Sequence, residues 1–384
     1  MIATLLLALS LPSADALGKI VVFLVMLSIL VVLHEGGHFL LARWNGVRVN
    51  DFAVGFGPTL LKWTSPRSGT NYRLNLLPIG GYCAMQGEDG NTTEAEQQRE
   101  FRASAGSQQR VDDNFQSKSP LRRLSIVVAG PVANFILAFA IFFVAAISFG
   151  VASSSIRQQI GILLPNSPAM KAGLQMGDQV VAIDGKTFSS GDAMIQKIHA
   201  SAGKPLAIDY RRQGQLRHVT VTPVATKVEG KTVGLIGFRP IPTFERVGVV
   251  KAVPVAADEF ANQLTGQLTG YVELITHPVQ HASSISGVIG MERAASAYQD
   301  LGWGPYLSLA AAISIALGVL NLFPFPALDG GRAVFIVAEM LRGRPVEPEK
   351  EALVHVTGFA VLMVLMVFVA YHDIANIVTG KGVF

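Results

Sequence analysis

Four stretches of this chain, residues 20–42, 124–151, 306–323 and 353–378, are apolar for long enough to cross about 30 Å of hydrocarbon at about 1.5 Å per residue. In that solvent every backbone N–H and C=O must be satisfied within the protein, so each stretch is expected to be a membrane-spanning helix. The fold class that follows is an α-helical polytopic membrane protein with four transmembrane helices. Composition agrees: half of the 384 residues are hydrophobic and 15% are charged, against about a quarter in soluble domains. The first stretch is too long for the apolar core of a signal peptide, no small-residue cleavage site follows it, and two histidines and a glutamate lie inside it. The weaker apolar patch at 2–11 reads equally as a surface-lying segment or a targeting remnant. With one cysteine, Cys83, the chain forms no intramolecular disulfide.

A net charge of +4 raises the question of nucleic acid, but the basic residues are spread between loops with no aromatic-interleaved cluster. The charge reports topology instead. Between the first two spans stand Arg43, Arg48, Lys62, Arg67, Arg73, Arg99, Arg102, Arg110, Lys118, Arg122 and Arg123, and between the last two Arg332, Arg342, Arg344 and Lys350. Only Lys19 precedes the first span. The positive-inside rule then puts these two loops in the cytosol and both termini outside, so that 152–305 faces the exterior.

Residues 46–85 alternate in polarity and carry Val54-Gly55-Phe56-Gly57-Pro58 and Leu77-Pro78-Ile79-Gly80-Gly81, which read as short strands joined by turns. Residues 88–119 are almost wholly polar and read as a flexible cytosolic loop without a core of its own. Outside, a short helix near 170–172, a strand at 179–183, a helix at 191–200 and strands at 206–211 and 217–222 make an α+β module. The spacing of its Ser-Pro-Ala, Ala-Gly-Leu, Gly-Asp and Ile-Asp-Gly motifs resembles a PDZ domain of the permuted bacterial type. Whether it takes a peptide or serves as a cap stays open, because peptide binding depends on an open strand edge. Ser286-Gly287-Val288-Ile289-Gly290 reads as a re-entry segment before the third span. The division that results is 1–45, 46–119, 120–151, 152–225 for the module, 226–304 as linker and re-entry segment, 305–332 and 333–384.

The first span carries His34-Glu35-Gly36-Gly37-His38. On a helix, positions i and i+4 share one face, so both imidazoles can bind one zinc ion. Glu35, about 100° round the helix, is placed to take a proton from water at the metal. Three ionisable residues within five positions of a membrane helix are costly without partners, which speaks against chance. A catalytic zinc needs a third protein ligand and one open position. Asp329 supplies a candidate: Asn321-Leu322-Phe323-Pro324-Phe325-Pro326-Ala327-Leu328-Asp329-Gly330-Gly331 ends the third span in a stretch where prolines remove donors and glycines permit unusual backbone angles. His34 lies roughly 21 Å along its span from the outer end, and Asp329 follows the whole of the third span, so both sit towards the cytosolic side. Asn134 reads as an interhelical hydrogen-bond partner; His355, His372 and Asp373, near the ends of the last span, read as interfacial anchors.

Taken with Ala129-Gly130-Pro131-Val132-Ala133-Asn134, these motifs resemble the site-2 protease family of intramembrane zinc metalloproteases, and their order around a PDZ module resembles its bacterial RseP type. The resemblance spans nearly everything from the first span to the fourth. It implies His34, His38 and Asp329 as zinc ligands, Glu35 as catalytic base, Asn321 as a contact to the substrate backbone, and 46–85 as a membrane-associated β-hairpin. It implies a bacterial inner-membrane enzyme cutting single-span membrane proteins already trimmed outside, such as an anti-sigma factor or a remnant signal peptide. The chain departs from the enterobacterial pattern in having one PDZ module, not two, and Ser-Gly-Val at 286–288 where Ser-Gly-Pro is usual. Two other classes compete. A metal transporter would carry ligands at several depths or an internal repeat, and neither is visible; a PDZ scaffold without catalysis would have no use for Glu35.

Overall fold

The computed structural model describes residues 14–88, 113–164, 166–228, 231–277 and 287–378. The apolar patch at 2–11 and most of the polar loop, 89–112, lie outside the described residues, as does Ser286. In chain order the elements are α1 (Ala14–Trp44), β1 (Val49–Thr64), β2 (Asn71–Met85), α2 (Pro120–Phe149), β3 (Val151–Ile156), β4 (Ile162–Leu163), α3 (Pro168–Lys171), β5 (Gln179–Ile183) and α4 (Gly191–His199). There follow β6 (Leu206–Arg212), β7 (Gln215–Val221), β8 (Val224–Val228), β9 (Lys231–Leu235), β10 (Phe238–Arg239), β11 (Pro242–Glu245), α5 (Val249–Thr276), α6 (Val288–Leu301), α7 (Trp303–Leu322), α8 (Asp329–Arg342) and α9 (Pro348–Val378). The chain divides into two compact units, one comprising 1–145 and 253–383, the other 146–252.

Among the described residues, four helices are long and apolar enough to cross a membrane: Ala14–Trp44, Pro120–Phe149, Trp303–Leu322 and Lys350–Ala375. Their packing shows the two-sided apolar character that lipid imposes. On α1 the residues Phe23, Met26, Leu27, Leu30, His34, Gly37 and His38 recur every three or four positions and are buried, whereas Val21, Val25, Ile29 and Leu33 on the opposite side are exposed and just as apolar. Because lipid is as apolar as leucine, close packing rather than burial holds such helices together, and small residues permit it. A β-carbon at Gly37 would meet the Ala129 carbonyl and come within 2.9 Å of the Ala133 β-carbon on α2. Helices α2 and α7 are tied by the Ser314 hydroxyl, which donates to the Asn134 carbonyl at 2.8 Å.

The expected short strands at 46–85 are two long ones, β1 and β2, each bent at glycines. Gly55 (φ 80°), Gly57 (φ 86°) and Gly80 (φ 90°) occupy the left-handed region that a β-carbon disfavours. The strands pair antiparallel from Val49 opposite Met85 to Val54 opposite Gly81, and again from Thr59 opposite Asn75 to Thr64 opposite Asn71. Residues 51–54 also pair with 71–74, and among the described residues the arm 81–85 has one strand neighbour. Phe56, Leu60, Leu61, Trp63, Leu76 and Leu77 are exposed on this hairpin. The described ends of the polar loop are not free of structure: Phe115 is buried with Val47, Val49 and Cys83, and the Arg48 N–H donates to the Asp113 carbonyl. One aromatic residue in a polar run is enough to anchor its end.

The second unit is built on the antiparallel sheet β5-β6-β7, over which α4 lays Met194 and Ile198 against Ile183, Leu206 and Ile208. Gln213 (φ 49°) and Gly214 (φ 82°) make the two-residue hairpin turn between β6 and β7. Buried Asp178 receives Arg212 at 2.6 Å and the Gln175 N–H at 2.8 Å. The stretch 226–304, expected as linker and re-entry segment, carries strands and helices: β11 pairs with β3 and β10 with β4, and α5 alone runs for 28 residues. Pairings between segments so far apart in sequence leave no local signature.

Candidate metal centre

The loop from Phe323 to Leu328 breaks the chain out of α7 and returns it into α8. Asp329 was expected within the unwound stretch; it is instead the first residue of α8, and the unwinding stops at Leu328. The two glycines after it are needed for room rather than for unusual angles. A β-carbon at Gly330 would strike the Phe323 and Leu322 carbonyls, and one at Gly331 the Phe325 carbonyl. The residue with a left-handed backbone is Ala327, at φ 76°.

This turn carries the Asp329 carboxylate to the two histidines of α1. Asp329 Oδ2 lies 3.2 Å from His34 Nε2 and 3.3 Å from His38 Nε2, and the two nitrogens are 3.3 Å apart. Both histidines are buried, and Oδ2 is buried without accepting a hydrogen bond from the described residues. An orphaned carboxylate oxygen facing two imidazole nitrogens is costly by itself and is resolved by a cation. The dimensions fit zinc. Ligands held about 2.0–2.1 Å from a tetrahedral ion stand about 3.3 Å from each other, the separation observed here, and three protein donors leave the fourth position of a catalytic site.

The far nitrogens of both rings are held. His38 Nδ1 lies 2.9 Å from the Ile126 carbonyl of α2, which fixes its proton on Nδ1 and leaves the Nε2 lone pair for a metal. His34 Nδ1 lies 3.1 Å from the side-chain amide of Asn134, fully buried on the same helix. The atom facing it is Asn134 Nδ2; with Nε2 turned to a metal, His34 Nδ1 would carry the proton, and the amide would turn over so that its oxygen, unpartnered among the described residues, accepts it. Sequence reasoning identified Asn134 as an interhelical partner and missed whom it holds. The signal was its spacing: Gly130 and Asn134 are one helical turn apart, on one face of α2. Gly130 is the position beneath the rings, where a β-carbon would lie 2.6 Å from His38 Cε1 and 2.8 Å from His34 Cε1.

A cavity of about 410 Å³ opens on this centre, lined by His34, Glu35, His38, Asn321, Asp329 and Arg332 together with Tyr82, Cys83, Ala84, Met85 and Glu88. All five residues singled out in the sequence are therefore brought to one chamber. Strand β2 runs past Glu35 so closely that a β-carbon at Gly81 would lie 3.5 Å from Glu35 Cγ. The hairpin arm with one strand neighbour, 81–85, thus forms a wall of the chamber. Arg332 and Glu88 are ion-paired at its rim. Burial pushes the Cys83 thiol well above its ordinary range, and the nearby carboxylates of Glu35 and Glu88 add to the shift. Two residues read as interfacial anchors have inward partners instead. His355 Nδ1 accepts the Ala327 N–H at 3.0 Å, and buried Asp373 accepts the Gly287 and Gly290 N–H groups at 3.0 and 3.1 Å.

The model of peptidase family M50 matches residues 22–365. A zinc metalloprotease RasP of Geobacillus kaustophilus is 31% identical, over 94% of this chain and 98% of that one. A putative zinc metalloprotease of Rhizobium meliloti is 33% identical, covering 92% and 95%. The regulator of sigma-W protease RasP of Bacillus subtilis is 29% identical, covering 94% and 99%. Among solved structures, the PDZ domain of the SdrC-like protein from Listeria monocytogenes is 25% identical, covering 24% of this chain and 94% of that domain with a TM-score of 0.20.

Proposed function

Because the chain belongs to peptidase family M50, we propose that its chamber cuts a peptide bond inside the membrane segment of a single-span protein. The chain is a zinc metalloprotease and a membrane protein; the residues, substrate and orientation are our reading. The observation that carries it is the meeting of His34, His38 and Asp329, from two separate helices, within 3.3 Å of each other, at a carboxylate oxygen that accepts no hydrogen bond from the described residues.

His34 and His38 through Nε2, with Asp329 through Oδ2, would hold zinc, which when bound would supply Lewis acidity to the scissile carbonyl and the attacking water. Glu35 accepts a proton from that water as its oxygen adds to the carbonyl carbon. It then delivers the proton to the amide nitrogen as the C–N bond breaks, so that one water is consumed and an acid and an amine are released. A helical substrate hides its scissile bond, since each carbonyl already accepts an amide four residues on. Local unwinding is therefore required, and the 81–85 arm receives the extended segment by strand addition. The Asn321 side chain bonds a backbone group that unwinding frees. Exposed apolar side chains on the hairpin suit a position at the bilayer, where such a segment arrives.

The basic loops support a cytosolic placement of the chamber and an exterior, periplasmic placement of the unit 146–252 in a bacterial inner membrane. We read that unit as a PDZ domain acting as a size filter or a peptide holder, which suits substrates trimmed outside beforehand. The sigma-W regulator among the relatives supports anti-sigma factors as one substrate class, with remnant signal peptides as another. The test is Glu35→Gln, which keeps all three donors. We expect the purified protein to retain zinc and to lose a factor of about 10² to 10⁴ in cleavage of a model membrane-spanning substrate. Near-normal turnover would remove Glu35 from the base role.

A further inference from the structure

The loop that presents Asp329 is short of ways to hold itself. Pro324 and Pro326 have no N–H, which leaves four donors between Phe323 and Leu328. Three stay within the chain segment: Phe323 donates to the Leu320 carbonyl, Phe325 to Phe323 and Leu328 to Phe325. The fourth, the N–H of Ala327, leaves the loop and donates to His355 Nδ1 on α9 at 3.0 Å. Ala327 is also the residue held at φ 76°, a conformation that a β-carbon disfavours and that persists only where neighbours enforce it.

One helical turn after His355, Gly358 meets the same loop. A β-carbon there would strike Pro326, lying 2.7 Å from its carbonyl oxygen and closer still to its ring. The His355 ring also packs on Phe335 of α8, centroids 5.6 Å apart, so one face of α9 grips both the loop and the helix that Asp329 begins. Leu328 alone stands between Ala327 and Asp329.

We propose that His355 is a positioning residue for the metal centre: by accepting the Ala327 N–H it locks the loop in the left-handed turn that aims Asp329 Oδ2 at His34 and His38. The inference rests on Asp329 being a zinc ligand. Accepting at Nδ1 makes the ring the Nε2–H tautomer, and no titration is involved. His355→Leu keeps the bulk and removes the acceptor; His355→Asn places an amide oxygen where Nδ1 stood. In Leu, Ala327 loses its reason to stay left-handed, and Ala327→Gly should restore the turn because glycine adopts it unaided.

The experiment is competition for Zn²⁺ between a chromophoric chelator and the full-length protein in detergent, with Asp329→Ala run alongside. We expect His355→Leu to bind zinc about 10- to 100-fold more weakly, the range typical of partners that orient a ligand. His355→Asn should stay within about threefold of the native chain, and His355→Leu with Ala327→Gly should recover most of the loss. Native affinity in His355→Leu while Asp329→Ala loses zinc would overturn the positioning role alone. Retention of zinc by Asp329→Ala would overturn the ligand assignment beneath it. If His355→Leu does not fold, residue-resolved hydrogen exchange at the Ala327 amide of the native chain decides: protection supports the link and exchange at the rate of a free loop removes it.

Discussion

Gly130→Ala adds one methyl group at the point where α2 passes beneath both imidazoles. Its β-carbon would lie 2.6 Å from His38 Cε1 and 2.8 Å from His34 Cε1, and in harder contact with His38 Nε2. Ordinary contact begins near 3.4 Å, so the rings or the helix must give by at least about 0.6 to 0.8 Å. The helices have little slack, because Gly37 of α1 is already pressed on the Ala129 carbonyl of α2. Overpacking of this kind costs about 1–3 kcal/mol. Metal sites tolerate ligand displacements of only about 0.2 Å, so the strain is relieved most readily by moving the imidazoles off the metal. At about 1.4 kcal/mol per tenfold, zinc affinity should fall by about 5- to 150-fold while the helices stay formed. Gly36→Ala is the matched control. Beyond its chain neighbours and its own helix backbone, no atom of the described residues lies within 4 Å of its added carbon, and replacing a mid-helix glycine should leave zinc binding unchanged and raise helix stability by about 0.5–1 kcal/mol. Chelator competition reads the affinity, and far-UV circular dichroism shows that the fold survives. Native zinc affinity in a folded Gly130→Ala protein would refute the packing argument.

Asn134→Leu removes the partner of His34 Nδ1, so zinc affinity should fall about 10- to 100-fold with the helical spectrum intact; an unchanged affinity would show that the amide only packs. The Cys83 thiol is pushed up by burial first and by Glu35 and Glu88 second, and only the thiolate attacks. At pH 8 iodoacetamide should therefore modify Cys83 in the folded protein more slowly than a free cysteine, with the rate still climbing above the pH at which a free thiol levels off; a rate matching free cysteine would contradict this. Ser189→Cys, on an exposed turn of the second unit, should react in intact cells with a membrane-impermeant maleimide if that unit is exterior. Protection until lysis would reverse the orientation.

Much of this protein is written locally. Runs of 18 or more apolar residues favour a helix long enough to cross lipid, and His34 and His38 share a helix face by periodicity alone, so the four long apolar helices and the pairing of the two histidines were legible without a structure, with Asp329 a candidate beside them. The three strands of the second unit's small sheet were legible too, because apolar alternation is a short-range signal, whereas the two-residue turn at Gln213 and Gly214 was not read. What the sequence could not contain is which distant groups meet. Asp329 joins the histidines through a turn whose key strained residue is an alanine, while the flanking glycines matter for space; neither role follows from residue type. Asn134, Ile126 and His355 act through single hydrogen bonds across 28 to 100 positions, and the hairpin arm reaches Glu35 only because β2 folds back along α1. Periodicity constrains a segment against its own axis. The position of one segment against another is decided by packing, where a single missing methyl group at Gly130 leaves the room in which two imidazoles and a carboxylate come together.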